Sequence, residues 1–185
     1  CQTKSFWILP KPHMNLTLRS TSSWFKRLNH TSIRSTMNTK WHKRYLSLAR
    51  EISTWSKDPS RQIGAVAVSE KGRVLSTGYN GFPRGVNDSE VLYHDREYKY
   101  QRVVHAEMNC IFNATYNGVC LDGSTMYVWG LPMCSDCAKG VIQVGVKAVY
   151  WDTDQEVPDQ WSQSMLITQE MFDEVGIEFR RLHLD

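Results

Sequence analysis

The chain has 185 residues, 41% of them hydrophobic, which is enough for one domain with a sizeable core. It contains no run of about 18 apolar residues, so the sequence predicts no membrane-spanning helix, and we expect a cytoplasmic protein. Residues 1–36 hold six of the 22 Lys and Arg residues and no acidic residue, which leaves 16 basic and 19 acidic residues in 37–185. This acidic balance argues against a nucleic-acid-binding body, because backbone binding depends on Lys and Arg.

Residues 1–36 differ in composition from the rest of the chain, since they are basic, rich in Ser and Thr and free of acid. Such a composition is typical of organellar transit peptides. The alternatives are an upstream segment without structure and a nucleic-acid-binding arm. Met37 begins the first segment with a globular pattern. We therefore predict that this leader, residues 1–36, is not part of the folded domain, which spans residues 37–185.

The predicted elements begin with a helix from Trp41 that ends before the Lys-Asp-Pro sequence at 57–59, because proline disfavours helix at the residue before it. Its apolar residues recur at helical spacing, at Trp41, Tyr45, Leu48, Ile52 and Trp55. Residues 63–69 and 73–80 are predicted strands, and the Lys-Gly turn between them indicates a hairpin. Residues 81–102 are polar, with Gly, Pro and several Tyr, and are predicted to form a long loop or insertion.

The second half of the chain alternates helices with strands. A helix begins near His105 and ends at Gly118. It is followed by a strand over 124–130, a helix from Cys134, a strand over 147–152, a helix with Gly176 as its C-cap and a strand over 177–182. This alternation predicts an α/β fold with a mainly parallel sheet.

Three residues that bind zinc well, His105, Cys134 and Cys137, stand at the predicted beginnings of two successive helices. In consecutive parallel βα units such helix N-termini lie side by side at one edge of the sheet, so we expect the three side chains to converge. One histidine and two cysteines are the protein ligands of a catalytic zinc with a fourth position open for water. The positive ends of the helices also favour the thiolate form that zinc requires.

Glu107 follows His105 by two residues, in the first turn of the same helix, and is placed to carry protons. It would take a proton from the zinc-activated water and deliver protons to the ring nitrogen and the departing ammonia of a base such as cytosine. From the residues alone, two alternatives stay open. The CxxC pair could be a redox couple, or a structural zinc could take a fourth ligand from His94, Cys110 or Cys120.

The joint pattern of HAE at 105–107 and LPMCSDC at 131–137 resembles the H-x-E…P-C-x-x-C signature of zinc deaminases. From Trp41 to Leu184 the chain resembles the zinc-dependent cytidine and deoxycytidylate deaminase family, and within it the deoxycytidylate (dCMP) deaminases of bacteria and phages. The similar blocks are SKDPSRQIGAVAVS, GYNGFPRGVND, HAEMNCI, TMYVW and CSDCAKGVIQVGV. One departure is Met133, where the family usually has Pro; Met can adopt the same backbone angle, so we expect the site to be kept but to be slightly less rigid.

The resemblance implies a three-layer α/β/α fold, in which helices cover both faces of a five-stranded mixed sheet. It implies hydrolytic deamination of dCMP to dUMP and ammonia, with one zinc per chain and Glu107 as the proton carrier. The zinc ligands would be His105, Cys134 and Cys137. The substrate-binding residues would be Asn80 at the sugar hydroxyl, Ala106, and Arg61 at the phosphate, with Arg84 and Arg102 as rivals. Two functions from other classes are the alternatives: a nucleic-acid base deaminase and a non-catalytic nucleotide-binding regulator. The intact Glu107 argues against the regulator.

The resemblance also implies a homohexamer that dCTP activates together with Mg²⁺ and that dTTP inhibits. The family's effector site lies near its GYNG motif and the insertion that follows, here residues 78–102. The residues implied in it are Gly78, Tyr79, Gly81 and Arg84. Glycines let backbone N–H groups approach phosphates closely, and the same stretch offers the cations Arg96, Lys99 and Arg102. A surface loop that packs subunits together is the alternative.

Overall fold

The structure, a computed structural model, describes residues 39–184, so the predicted leader at 1–36 lies outside the described residues. The helices are α1 (Thr39–Ser53), α2 (Arg96–Tyr100), α3 (Ala106–Tyr116), α4 (Ser135–Gln143) and α5 (Ser162–Val175). The strands are β1 (Gly64–Val68), β2 (Val74–Tyr79), β3 (Thr125–Trp129), β4 (Ala148–Asp152) and β5 (Glu178–Arg181). Short 3₁₀ turns lie at Glu90–Tyr93 and Asp159–Trp161.

The five strands form one mixed sheet in the order β2-β1-β3-β4-β5. β1 and β2 form the predicted antiparallel hairpin, and β1 is also antiparallel to β3. β3, β4 and β5 are parallel. The mixed five-stranded sheet implied by the resemblance is confirmed. The expectation of a mainly parallel sheet is wrong, because half of the four strand pairs are antiparallel.

Helices cover both faces of the sheet, as the alternation of side chains along β3 makes clear. Tyr127 points towards α1, where its ring packs on Tyr45 at a centroid distance of 5.2 Å. Its neighbours Met126 and Val128 point to the opposite face and join a core cluster with residues of α3, α4 and α5. The strand is buried on both sides, which is why its sequence TMYVW is apolar almost throughout.

Two sequence predictions are corrected by the described residues. Trp41 and Trp55 do not lie on the buried face of the first helix: they are 46% and 56% exposed, and the buried stripe passes instead through His42, Tyr45, Leu46, Ala49 and Ile52. The insertion at 81–102 is not an irregular loop throughout, since it contains α2. Asp95 caps this helix by accepting a hydrogen bond from the backbone N–H of Tyr98. Between residues 39 and 184 no helix combines the length and the apolar character needed to cross a membrane.

α3 packs closely on β2 because Gly78 has no side chain. A Cβ atom at this position would overlap the backbone nitrogen of Cys110 in α3. Hydrogen bonds also join the two elements: Ser76 Oγ donates to the carbonyl of Cys110 at 2.7 Å, and Asn113 Nδ2 donates to the carbonyl of Thr77 at 2.7 Å. These contacts fix the position of α3, and with it the residues at its N-terminus, on the sheet.

Candidate metal centre and substrate pocket

His105 and Cys134 occupy equivalent positions, since each is the N-cap residue of a helix, α3 and α4 respectively. Neither side chain caps its own helix, so both remain available for another partner. β2 and β3 run in the same direction because each is antiparallel to β1. α4 follows β3 directly and α3 follows β2 after the insertion at 81–102, and both helices begin at the same edge of the sheet, as the sequence predicts.

The three predicted zinc ligands converge at this edge. Sγ of Cys134 and Sγ of Cys137 each lie 3.4 Å from Nδ1 of His105, and the three potential ligand atoms all lie within 4.8 Å of one another. In tetrahedral zinc, with Zn–S of about 2.3 Å and Zn–N of about 2.0–2.1 Å, sulfur and nitrogen ligands are about 3.6 Å apart. The donor set and its spacing therefore fit zinc. Neither His94 nor Cys110 belongs to this group, which has three members among the described residues.

The electrostatics of the group stabilise one thiolate. The pKa of the Cys134 thiol is lowered to about 4, first by a hydrogen bond from Cys137 and then by the adjacent His105 ring. The hydrogen bond with Cys134 and burial raise the pKa of Cys137, so one thiol of the pair loses its proton readily and the other keeps it. The hydrogen bond to Cys134 raises the pKa of His105 to about 9 despite its burial, so the ring must lose a proton when it binds a metal. A thiolate is thus already stabilised at the position where a divalent cation would bind.

Glu107 is 4% exposed and lies beside this group, hydrogen-bonded to Cys137. Burial raises the pKa of its carboxyl to about 7. Cys110 lies in the same helix, and its thiol is buried and not part of a disulfide. Burial raises the pKa of this thiol to about 12, so it stays protonated. The prediction that Cys110 is a buried thiol is confirmed.

Hydrogen bonds from the segment at 161–175 fix the residues before Cys134. Met133, where the resemblance expects Pro, is fully buried, and its carbonyl accepts a hydrogen bond from Thr168 Oγ1 at 3.2 Å. The indole nitrogen of Trp161 donates to the carbonyl of Pro132 at 2.8 Å. Tertiary contacts therefore supply the rigidity that a proline would have given at this position.

A cavity of about 510 Å³ lies against the centre, within the size range of small-molecule sites. His105, Ala106 and Glu107 line it, together with the apolar side chains of Leu131 and Trp161. Its polar lining includes Asn80 and the side chains of Asp58, Ser60, Arg61, His94, Arg96 and Lys99. The cavity thus places the candidate metal centre and a cluster of cations in one pocket.

All three residues predicted to bind substrate line this pocket: Asn80, Ala106 and Arg61. Asn80 is buried, and its carboxamide accepts a hydrogen bond from the backbone N–H of Ile63 at 2.8 Å and donates to the carbonyl of Arg61 at 2.9 Å. Arg61 donates through Nη2 to the carbonyl of Glu156 at 2.9 Å, whereas its Nη1 is buried without a hydrogen-bond partner among the described residues. A buried guanidinium nitrogen of this kind is a hydrogen-bond donor that can bind an acceptor from a ligand.

The two rivals for phosphate binding lie elsewhere. Arg84 hydrogen-bonds to Asn113 and stacks on the ring of Tyr116, on the outer side of α3. Arg102 lies 3.8 Å above the ring of Tyr98. Neither side chain lines the pocket.

The predicted effector residues are spread over different environments. Gly78 lies within β2, and the close approach of α3 accounts for its missing side chain. Tyr79 is partly exposed and packs edge-on against Trp55. Gly81 pairs with Val104 in an isolated bridge. The assignment of these residues and Arg84 to an effector site stays a prediction.

Sequence reasoning missed the role of Lys99 and Asp58. Lys99 was expected to be a cation of the insertion that meets an effector, yet it is only 6% exposed and its Nζ lies 3.0 Å from Oδ1 of the buried Asp58. The two residues stand 41 positions apart, so no local pattern connects them. Asp58 lies in SKDPSRQIGAVAVS, which resembles the family, but nothing in this segment indicates a charged partner for the aspartate.

Comparison with known proteins identifies the class to which this fold and site belong. The family model "Cytidine and deoxycytidylate deaminase zinc-binding region" matches residues 39–153. An uncharacterized deaminase in the luxG 3′ region of Aliivibrio fischeri is 38% identical over 150 residues, which cover 80% of this chain and 98% of that protein. The human deoxycytidylate deaminase is 32% identical over 148 residues, covering 77% of this chain and 79% of that protein.

The chain therefore belongs to the cytidine and deoxycytidylate deaminase family, and the resemblance stated from its motifs is confirmed. Among solved structures, the dCMP deaminase of cyanophage S-TIM5 in complex with dCMP and dUMP superimposes with a TM-score of 0.64 at 24% identity. The match covers 79% of this chain and 99% of the phage chain. At this identity the similarity establishes the shared fold.

Proposed function

We propose that this protein catalyses the zinc-dependent hydrolytic deamination of dCMP to dUMP and ammonia, and so supplies dUMP for thymidylate synthesis. The observation that carries the proposal is the convergence of one histidine, two cysteines and a buried glutamate beside a pocket that also contains cations. His105, Cys134 and Cys137 would hold the zinc. Relatives named deoxycytidylate deaminase, from phage to human, support the choice of substrate within the family.

Zinc, when bound, supplies a Lewis acid that makes a water molecule a nucleophile near neutral pH. The part played by Glu107 follows from its position beside the three ligands. Its carboxylate would accept a proton from the attacking water and pass it to the ring nitrogen next to the attacked carbon. It would then accept the second proton of the same oxygen and deliver it to the departing amine. Leu131 and Trp161 provide apolar surface against which a flat base can pack.

The pocket cations support a nucleoside monophosphate rather than a free nucleoside. A phosphomonoester carries a charge of about −1.5 to −2 at pH 7. Arg61 and Arg96 line the pocket, whereas the charge of Lys99 is paired with that of Asp58. Arg61 is the strongest candidate for the phosphate, because its buried Nη1 is the donor without a described partner. Asn80 would bind the sugar hydroxyl.

Regulation and assembly form a further part of the proposal, carried over from the resemblance. We expect a cytoplasmic homohexamer that dCTP with Mg²⁺ activates and dTTP inhibits. The effector site would include Gly78, Tyr79, Gly81 and Arg84. Arg84 is exposed, and its pairing with Asn113 connects the insertion to α3, which carries Glu107.

The substrate is tested by measuring ammonia release from dCMP, deoxycytidine, cytosine and adenosine in a tRNA loop, side by side. Preference for dCMP supports the proposal. Preference for the tRNA substrate would indicate a nucleic-acid base deaminase. A protein that retains zinc and releases no ammonia from any of the four would indicate a non-catalytic regulator.

A further inference from the structure

Two ion pairs connect the insertion at 81–102 with the segment at 56–63, which we call the pocket loop. One pair is exposed: Lys57 Nζ lies 2.9 Å from a carboxylate oxygen of Asp88. The other is buried: Lys99 Nζ lies 3.0 Å from Oδ1 of Asp58, and both side chains are less than 10% exposed. Exposed pairs contribute little to stability, whereas breaking one partner of a buried pair leaves an uncompensated charge.

The buried pair organises the pocket loop. Oδ1 of Asp58 accepts hydrogen bonds from Lys99 Nζ and, at 2.9 Å, from the backbone N–H of Ser60. Lys99 also donates to Oγ of Ser60 at 3.1 Å. A single ammonium group therefore fixes the loop at two successive points, immediately before Arg61.

The same loop determines how Asn80 is presented. The Asn80 carboxamide donates to the carbonyl of Arg61 and accepts from the N–H of Ile63, and Oδ2 of Asp58 lies 3.5 Å from its Nδ2. Ser56 Oγ donates to the backbone carbonyl of Asn80 at 2.8 Å. These contacts use both N–H groups and one lone pair of the carboxamide, which leaves the second lone pair of Oδ1 for a hydroxyl of the ligand. A displaced loop would therefore turn Asn80 and move Arg61 together.

We propose that the buried Lys99–Asp58 pair is a positioning device for substrate binding: it holds the pocket loop so that Asn80 and Arg61 face the nucleotide together. The inference rests on the proposed function, because it takes those two residues as contacts to sugar and phosphate. Lys99 itself acts through Asp58 and Ser60, since its charge is already compensated. The insertion that carries Lys99 thereby controls nucleotide affinity without contributing to the zinc centre.

A positioning role differs measurably from a direct phosphate contact. A residue that touches only the phosphate affects binding of dUMP and leaves deoxyuridine, which has no phosphate, unchanged. Loss of the pair displaces Asn80 as well as Arg61, and small misplacements of binding groups have large effects. Lys99→Met is therefore expected to raise the dissociation constants of both dUMP and deoxyuridine by roughly tenfold or more. By contrast, Arg61→Ala should weaken dUMP alone.

The experiment measures the dissociation constants of dUMP and deoxyuridine by calorimetry, with zinc content and thermal unfolding as checks of the fold. Lys99→Arg keeps the charge and should recover much of the affinity. The double variant Asp58→Asn/Lys99→Met removes both buried charges, so it remains measurable if Lys99→Met does not fold. It should keep its zinc and still bind both ligands weakly. Lys57→Met, which removes the exposed pair between the same two segments, is the matched control and should bind both ligands like the wild type.

Two results would overturn the positioning role. One is wild-type affinity for both ligands in the double variant, which would mean that the pair serves only charge neutrality. The other is weakened binding of dUMP alone in Lys99→Met, which would make Lys99 a direct phosphate contact. Turnover of dCMP by the wild type is measured in parallel. If there is no turnover, the proposed function is wrong, but the binding comparison still tests the positioning role. A wild type that binds neither ligand contradicts both the proposed function and the positioning role.

Discussion

Gly78→Ala tests how the fold of this chain builds its metal centre. The added Cβ would overlap the backbone of α3 at Cys110 and lie 2.8 Å from the carbonyl carbon of Asn109. Carbon atoms pack at about 3.5–4.0 Å, so α3 must move away from β2 by about 1 Å. The atoms it meets belong to helix backbone, so no side-chain rotation can relieve the overlap.

The displacement of α3 has a cost in stability and a cost at the site. Overpacking of this kind typically costs about 1–3 kcal/mol, which for a domain of this size lowers Tm by about 3–10 °C. His105 begins α3, whereas Cys134 and Cys137 belong to α4. Metal–ligand distances tolerate errors of about 0.2 Å, so a shift of about 1 Å in one helix should release most of the zinc.

The assay compares zinc content and thermal unfolding of Gly78→Ala with those of Gly81→Ala. Gly81 has a negative φ, and a Cβ there would meet its nearest neighbour, the hydroxyl of Tyr93, at an ordinary 3.5 Å. The control should therefore keep its zinc and its Tm. Gly78→Ala with full zinc, unchanged Tm and an altered response to dCTP alone would refute this reasoning and would favour the effector role for Gly78.

The remaining predictions concern the site and the leader. Cys134→Ser and Cys137→Ser should each lose the zinc, which metal analysis of the purified variants would show. Glu107→Gln should keep zinc and fold but lose about 10²–10⁴-fold in kcat on dCMP, because an amide cannot shuttle protons at neutral pH; near-normal turnover would mean that another group transfers the proton. Arg61→Ala should raise KM for dCMP and leave KM for deoxycytidine unchanged, in steady-state assays of both substrates. A chain that starts at Met37 should be as active as the full chain, and lost activity would make residues 1–36 part of the enzyme.

Local signals were sufficient for most of the secondary structure. The αL conformation of Gly176, with φ of 76°, ends α5 as the sequence indicates. The apolar runs around Val66 and Tyr127 are strands, as predicted. A strand that is buried on both faces has an almost continuously apolar sequence, which makes it recognisable. The buried face of the first helix was predicted incorrectly. The large aromatic residues Trp41 and Trp55 were assigned to it, whereas the smaller Ala49 is the buried residue.

The metal centre was predictable because it depends on two helix N-termini at one edge of a sheet, a relation that chain order nearly determines. The strand order was not predictable from the residues, since nothing local indicates that β1 pairs with β3 in the antiparallel sense. The buried Lys99–Asp58 pair was missed for a related reason. A lysine in a polar stretch is ordinarily exposed, and only the tertiary fold brings it to an aspartate 41 residues away.

The proposed reaction replaces the amino group of dCMP with oxygen from water. The most direct measurement is mass spectrometry of the nucleotide after incubation of the zinc-loaded protein with dCMP in water enriched in oxygen-18. The expected product is dUMP that carries one oxygen-18 atom in its base, formed in equal amount with ammonia and absent with Glu107→Gln. Unchanged dCMP, or a product that has lost its phosphate and kept its amino group, would contradict it.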